Sequence, residues 1–96
     1  MIKKTKKDTF FVYIIECEDN SYYTGYTDDL VKRFNSHKLG KGAKYTRSKK
    51  AKKLVYFEKY LTKEQAMKRE YELKTLERKE KEKLIIGFTE NLEKKV

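Results

Sequence analysis

The sequence predicts a small α+β domain in which a three-stranded antiparallel sheet is flanked by helices, in the order β-β-α-β-α-α. A chain of 96 residues accommodates one hydrophobic core. Thirteen aromatic residues (8 Tyr and 5 Phe) supply bulky core side chains although 42% of the residues are charged. Two apolar runs typical of strands come first, and a third lies between amphipathic segments. Three strands need covering helices, and three helical segments are available.

The first two strands are predicted to form a hairpin. Residues 9–17 are rich in Phe, Val, Tyr and Ile, and their nearly continuous apolar character indicates a central strand covered on both faces. A polar turn follows, and Tyr22 to Tyr26 form the returning strand. Gly25 lies inside this second strand. Since glycine weakens a strand, we expect a close approach of backbone or ligand there.

The first helix is predicted to begin at Thr27 or Asp28, which are both favourable N-cap residues, and to end near Gly40. A long basic loop is expected over residues 40–53, with one ordered turn around Tyr45. The third strand is expected over Leu54 to Phe57, extending at most to Lys59.

Two further helices are predicted in the second half of the chain. Residues 62–65 fit a capping box, so a helix is expected from there to about Thr75. A last helix is expected over Arg78 to Ile86, ending at Gly87. The predicted domain therefore covers residues 9–87, between a basic flexible tail at 1–8 and a polar tail at 88–96.

The charge is unevenly distributed. The net charge is +10, and the 16 residues from Lys38 to Lys53 hold eight basic residues and no acidic one. Such a block favours a polyanionic partner, either nucleic acid or an anionic membrane surface. The run has no apolar face of the kind that a membrane-lying helix needs, so nucleic acid is favoured and no membrane partner is expected. A solvated loop that promotes solubility is the alternative.

Several classes of protein and site are excluded. A single cysteine, Cys17, rules out a disulfide scaffold, and one cysteine with one histidine cannot form a structural zinc site. No apolar run approaches the ~20 residues of a membrane span, and no signal peptide is recognisable, so a cytoplasmic location is expected. Walker A and nucleophile-elbow motifs are absent from the sequence.

One set of residues is compatible with phosphodiester cleavage. Tyr13 and Tyr23 lie on the paired strands, and Arg33 and His37 are four residues apart on the first helix, so they project from the same side. Glu70 lies on the later helix. A carboxylate can hold Mg²⁺, an arginine can stabilise charge on phosphoryl oxygens, and a phenol or imidazole can take a proton from water.

Each of these residues also has a purely structural interpretation. Tyr13 is a plausible core residue of an apolar strand. Arg33 and His37 fit the solvated flank of an amphipathic helix, and His37 also fits a buried histidine with satisfied hydrogen bonds. Glu70 is an ordinary helix residue, apart from its spacing with Ala66 and Leu73. Three other glutamates compete with it nearby: Glu64, Glu72 and Glu77.

Short motifs along the chain resemble those of the GIY-YIG nuclease superfamily. Phe11-Val12-Tyr13 followed by Tyr23-Thr24-Gly25 resembles its paired strand motif, with Phe11 and Val12 in place of glycine and isoleucine. The resemblance covers Phe10 to Ile86 and is closest to the short stand-alone members. Three later motifs also match: Asp29 to Arg33 with His37, Gly40 to Arg47, and Ala66 to Glu70 with Lys74.

This resemblance implies a metal-dependent endonuclease that hydrolyses DNA phosphodiester bonds, with a role in DNA repair or recombination. It implies that Arg33 is catalytic and that Glu70 holds a single Mg²⁺ or Mn²⁺ ion. Tyr13 or Tyr23 would act as general base or position the attacking water, and His37 would assist a tyrosine. Gly25 would let its strand pass close to the site. Positive charge from Arg33 and the metal is expected to favour the phenolate.

Binding to DNA is expected to depend on phosphate contacts, with steep salt dependence and little sequence preference. RNA stays open as a substrate, and so does a homodimer, since cutting both strands can require two copies. Tyr45 either stacks in the substrate groove or docks on the domain. The alternatives to an enzyme are a non-cleaving nucleic-acid-binding module and a protein-binding adaptor. The residues expected to bind nucleic acid are Lys44, Tyr45, Arg47, Lys49, Lys50 and Lys74.

Overall fold

The protein folds as a three-stranded antiparallel sheet with four helices, as seen in a computed structural model that describes residues 9–94. This confirms the predicted α+β class and adds one helix to the predicted order. The basic segment 1–8 lies outside the described residues. The elements in chain order are β1 (Phe10–Cys17), β2 (Tyr22–Thr27), α1 (Leu30–Lys38), α2 (Lys44–Lys49), β3 (Ala51–Tyr60), α3 (Lys63–Lys74) and α4 (Arg78–Lys94).

The first strand lies at the centre of the sheet, whose strand order is β2-β1-β3, and it pairs antiparallel with both neighbours. The four residues from Val12 to Ile15 are at most 1% exposed, so both faces of β1 are covered, as predicted. Tyr13 lies opposite Gly25 on β2 and opposite Phe57 on β3.

Two hydrophobic clusters lie on opposite faces of the sheet, because successive side chains of a strand point to opposite sides. One cluster contains Tyr13 and Ile15 and is packed against Leu30 and Phe34 of α1. The other contains Val12 and Ile14 together with residues of α3 and α4: Ala66, Leu73, Leu84, Ile85 and Phe88. Helix α1 therefore covers the face of the sheet that contains Tyr13, and buried residues of α3 pack on the other face.

The first helix begins later than the sequence predicts. Its N-cap is Asp29, whose side chain accepts a hydrogen bond from the Lys32 backbone N–H at 3.1 Å. Thr27 still belongs to β2, and its hydroxyl accepts from the Asp29 backbone N–H at 3.1 Å. Thr27 thus supports the turn into the cap rather than capping the helix. The predicted Thr62 cap of α3 is confirmed, since Thr62 accepts from the Gln65 N–H at 3.1 Å.

The expected loop at residues 40–53 is more ordered than predicted. Residues 44–49 form α2, and β3 begins at Ala51 rather than Leu54. The strand extends because its first residues pair with the end of β1, where Cys17 lies opposite Ala51. The prediction began the strand too late because the residues after Ala51, Lys52 and Lys53, are charged and do not extend the apolar run.

The prediction that the last helix ends at Gly87 was wrong, since α4 continues to Lys94. Phe88 packs edge-to-face on Tyr56 and Phe57, with ring centroids 5.3 and 5.2 Å apart. This packing outweighs the ~1 kcal/mol that glycine costs inside a helix. No helix among residues 9–94, including α4, is both long and apolar enough to cross a membrane.

Candidate active site

A buried tyrosine and histidine form the centre of the site. Tyr13 projects from β1 toward α1, where its Oη lies 2.9 Å from Nε2 of His37. Each residue is 1% exposed. A phenol and an imidazole at this distance share a proton in a water-poor environment, which is a common arrangement for proton transfer.

The hydrogen-bonded chain continues to α2. Nδ1 of His37 lies 2.6 Å from Oγ1 of Thr46, and that hydroxyl donates to the Ala43 carbonyl oxygen at 3.0 Å. Thr46 is 1% exposed. Thr46 lies within the Gly40 to Arg47 motif, but the sequence did not indicate a role for it. The sequence did not predict α2, the helix on which the buried Thr46 lies.

Two glycines leave room for these rings. A Cβ atom on Gly25 would lie 2.6 Å from Oη of Tyr13, and one on Gly42 would lie 2.2 Å from Nδ1 of His37. Both contacts are closer than any side chain tolerates. What approaches Gly25 is thus the Tyr13 ring from the neighbouring strand. Gly42 carries out the same function for His37 and was not singled out from the sequence.

Tyr23 and Tyr45 extend the aromatic cluster toward the surface. The Tyr23 ring lies 5.2 Å from His37 and 6.4 Å from Tyr13, and Tyr45 stacks on it at 6.0 Å with an interplanar angle of 30°. Tyr45 therefore docks on the domain, and it also remains 39% exposed. This tyrosine joins the buried pair to the exposed surface of α2.

Arg33 and burial set the protonation of the central pair. Burial is the largest influence on Tyr13 and raises its pKa to about 12, although the hydrogen bond and charge of Arg33 act in the opposite direction. Without a bound metal ion, Tyr13 is therefore a neutral phenol and not the phenolate that the positive charge of Arg33 was expected to favour. Burial, with the charge of Arg33, lowers the pKa of His37 to about 4. His37 is neutral at physiological pH.

Glu70 belongs to α3, which packs against β1 and β2. It lies between the fully buried Ala66 and Leu73, and its side chain is 19% exposed. Its charge contributes to raising the pKa of Tyr13, which places the carboxylate within electrostatic reach of the phenol. The three competing glutamates, Glu64, Glu72 and Glu77, are exposed.

The donor set fits a magnesium-type ion at Glu70. Among residues 9–94, no group of three or more His, Cys, Asp or Glu side chains is arranged to hold a metal. Mg²⁺ keeps several waters and is commonly held by one or two carboxylates with substrate phosphates, so a single carboxylate suffices. Glu70 forms an ion pair with Lys74, whose Nζ lies 3.2 Å from Oε2. The carboxylate thus already faces one cation.

The basic residues beside the site are exposed on α2 and just after it. Lys49 forms an ion pair with Asp19 at 3.3 Å, and Lys74 lies on α3, where it pairs with Glu70. The exposed cations in this patch, called the α2 patch below, are Lys44, Arg47, Lys49 and Lys50.

Comparison with known proteins identifies the family. The profile of the GIY-YIG catalytic domain matches residues 9–91. A UPF0213 protein of Staphylococcus epidermidis is 53% identical over 78 residues, which cover 81% of this chain and 95% of that protein. A UPF0213 protein of Staphylococcus aureus is 51% identical with the same coverage.

Solved structures agree with the sequence matches. The NMR structure of a UPF0213 protein from Bacillus halodurans has a TM-score of 0.52 and 49% identity, covering 80% of this chain and 82% of that one. The NMR structure of a protein from E. faecalis has a TM-score of 0.57 and 36% identity, covering 93% and 92%. Together with the positions of the paired tyrosine motifs, these matches show that the chain belongs to the GIY-YIG nuclease superfamily, among its short UPF0213 members.

Proposed function

We propose that this protein is a metal-dependent nuclease that hydrolyses DNA phosphodiester bonds with little sequence preference. The observation that carries this proposal is the buried hydrogen bond between Tyr13 and His37, at a position where Arg33 and Glu70 act electrostatically on the same phenol. Membership of the GIY-YIG superfamily supports the reaction class.

The central pair can move a proton away from an attacking water. With its own proton directed at Nε2 of His37, Tyr13 presents its oxygen lone pairs to that water. The water gives one proton to Oη as Tyr13 gives its own proton to Nε2, so no free phenolate is needed. The water oxygen bonds to phosphorus, the bond to the leaving oxygen breaks, and that oxygen takes a proton from solvent. The low pKa of His37, about 4, returns the imidazolium proton to solvent afterward.

Arg33 stabilises the negative charge that grows on the phosphoryl oxygens. Its charge acts on the pKa of both Tyr13 and His37, which supports a position for the guanidinium near the proposed water. Fixed donors at this position act mainly in the transition state. Tyr23 contacts the His37 ring and helps to keep the imidazole in place.

Glu70 would hold the Mg²⁺ or Mn²⁺ ion. When bound, such an ion supplies Lewis-acid stabilisation of the phosphoryl oxygens. With the ion bound to Glu70, Lys74 would leave its ion pair with Glu70 and bind a backbone phosphate of the substrate instead. Each charged group in the site would then still have a partner of opposite charge.

The α2 patch binds the phosphate backbone on either side of the scissile bond. Lysines and arginine contact phosphates without reading bases, which accounts for the low sequence preference. The same contacts accommodate RNA, so RNA is the second substrate to test. One site cuts one strand at a time, and a homodimer is the proposed route to cleavage of both strands.

A plasmid-nicking assay tests the function. Supercoiled DNA is incubated with purified protein and Mg²⁺, Mn²⁺ or EDTA, and we expect nicked circles only with metal. Arg33→Ala and Glu70→Ala should each lower the rate at least 100-fold, on the order expected for loss of a charge-stabilising group. The matched controls are the exposed Lys32→Ala and Glu64→Ala on the same helices. Full activity in both site variants would contradict the assignment.

A non-cleaving nucleic-acid-binding module is the second candidate. The exposed α2 patch favours it, because these cations need no catalytic group to bind phosphate. DNA binding without nicking at any metal concentration would support this module. Failure to bind any polyanion at low salt would instead support a protein-binding adaptor.

A further inference from the structure

The hydroxyl of Thr46 lies within hydrogen-bond distance of two groups, the Ala43 carbonyl oxygen and Nδ1 of His37. The Ala43 carbonyl oxygen, 3.0 Å from Oγ1 of Thr46, can only accept a hydrogen bond. The hydroxyl of Thr46 donates its single proton to that oxygen. What Oγ1 offers to Nδ1 of His37, 2.6 Å away, is a lone pair.

The opposite tautomer of His37 is disfavoured by this arrangement. If Nδ1 carried no proton, its lone pair would face that of Oγ1 at 2.6 Å, unless Thr46 gave up its bond to Ala43, whose carbonyl oxygen would then keep only the hydrogen bond from the Arg47 backbone N–H at 3.0 Å. With the proton on Nδ1, Nε2 is bare and accepts from the Tyr13 hydroxyl at 2.9 Å.

Close packing restricts movement of the His37 imidazole ring. Gly42 touches it so closely that a Cβ atom would lie 2.2 Å from Nδ1, and Tyr23 covers it with ring centroids 5.2 Å apart. The charged and titratable groups that act on it are Arg33 from α1, Tyr13 from β1 and Tyr23 from β2. From α2, Thr46 is the hydrogen-bond partner of Nδ1.

We propose that Thr46 is a positioning residue that holds His37 in the Nδ1–H tautomer, so that Nε2 is free to receive the proton of Tyr13. Its consequence for catalysis rests on the proposed nuclease function. The tautomer itself is a property of the folded chain and is measurable without any substrate.

NMR tests the tautomer directly, because the chain has a single histidine and thus one pair of ring nitrogen signals. Long-range ¹H–¹⁵N spectra of the wild-type protein at pH 7 should show a protonated-type Nδ1 and an unprotonated-type Nε2. A protonated-type Nε2, or two averaged signals, would overturn the proposal outright, and this measurement requires no variant.

Two substitutions test the role of Thr46. Thr46→Ser keeps the hydroxyl and should keep the Nδ1–H tautomer. Thr46→Val keeps the shape, loses the acceptor and should shift both nitrogen signals toward averaged values, with the backbone amide spectrum of the fold retained. An unshifted tautomer in folded Thr46→Val would overturn the proposal, and if that variant does not fold, the wild-type spectrum decides.

Activity provides the second readout. Thr46→Val should lower kcat for nicking by roughly 10- to 100-fold with KM for DNA unchanged, as for residues that orient another ligand or base. Thr46→Ser should recover most of that loss. If the wild-type protein shows the Nδ1–H tautomer but never nicks DNA, the nuclease function fails and the tautomer assignment stands. If it nicks DNA with the other tautomer, the reverse holds.

Discussion

Tyr13 and Gly25 face each other across β1 and β2, and the Tyr13 hydroxyl occupies the space that a side chain at position 25 would need. The register explains this relationship, since the two residues are direct cross-strand partners. The tyrosine of the first motif and the glycine of the second are therefore one structural unit. The Tyr13 hydroxyl can take this position only because residue 25 has no side chain.

Substitution of Gly25 by alanine should displace Tyr13 from His37. The added Cβ would lie 2.6 Å from Oη and 2.8 Å from Cζ, so the buried ring must move. We expect a loss of about 1–3 kcal/mol in the free energy of unfolding, as for overpacking, and at least a tenfold loss of nicking. Urea denaturation and the plasmid assay measure the two effects.

Gly87→Ala is the control for Gly25→Ala. Gly87 lies in α4 with nothing within 4 Å of a built Cβ. The same change there should raise stability by about 0.5–1 kcal/mol, because alanine favours the helix. Equal responses at the two glycines would contradict the steric interpretation.

The stability of the protein should fall as the pH drops from 6.5 to about 4. His37 has a folded pKa of about 4 against an ordinary 6.5, so in this window the unfolded chain binds a proton that the folded chain does not. Stability then rises with pH, at about 1.4 kcal/mol per pH unit and about 3 kcal/mol in total. Above pH 6.5 this contribution is constant.

Urea unfolding at several pH values measures this effect. Carboxylates also titrate in the window, so the comparison is with His37→Gln, which should show a shallower slope over the same range. An NMR titration of the single histidine should give a midpoint near 4. A midpoint at or above 6.5 would contradict the burial argument.

The ion pair between Arg69 and Glu58 should be important for stability. Burial opposes ionisation of Glu58, but hydrogen bonds from Arg69, Tyr56 and Tyr60 outweigh it and lower its pKa. Arg69 Nε lies 2.9 Å from Oε1 of Glu58, which joins α3 to β3. Arg69→Met leaves a largely buried carboxylate without its cation and should cost about 2 kcal/mol.

Lys68→Met on the same helix serves as the control for Arg69→Met, because Lys68 is exposed. Its unfolding free energy should change by less than about 0.5 kcal/mol. Because Arg69 is next to Glu70, the loss of this anchor should also raise the Mg²⁺ concentration needed for half-maximal nicking. An unchanged stability for Arg69→Met would show that this ion pair does not anchor α3.

The α2 patch should dominate the salt dependence of DNA binding. Arg47→Ala should weaken binding to all sequences alike and reduce the slope of log K against log[salt] by about 0.9. Lys79→Ala on α4 is the exposed control and should leave the slope unchanged. Fluorescence anisotropy from 50 to 300 mM salt measures it. If Arg47→Ala and Lys79→Ala changed the salt slope equally, the α2 patch would not be the main DNA-binding surface.

Local patterns determined most of the fold. The apolar run at 9–17 predicted the central strand, and the Thr62 capping box predicted the start of α3, because both depend on residues near in sequence. The errors arose where distant contacts decide. The start of β3 depends on pairing with Cys17, and α4 passes Gly87 because Phe88 packs on β3.

For the site, residue types and spacing together with the resemblance to the GIY-YIG motifs indicated which side chains to examine, including Tyr13, Arg33, His37 and Glu70. Only the tertiary structure decided their chemical states. Burial keeps Tyr13 a neutral phenol and His37 a neutral imidazole. Thr46 contacts that ring from α2, a helix the sequence did not predict, and Gly42 contacts it from the loop before α2. Protonation depends on desolvation and on partners far apart in the chain, which no local pattern contains.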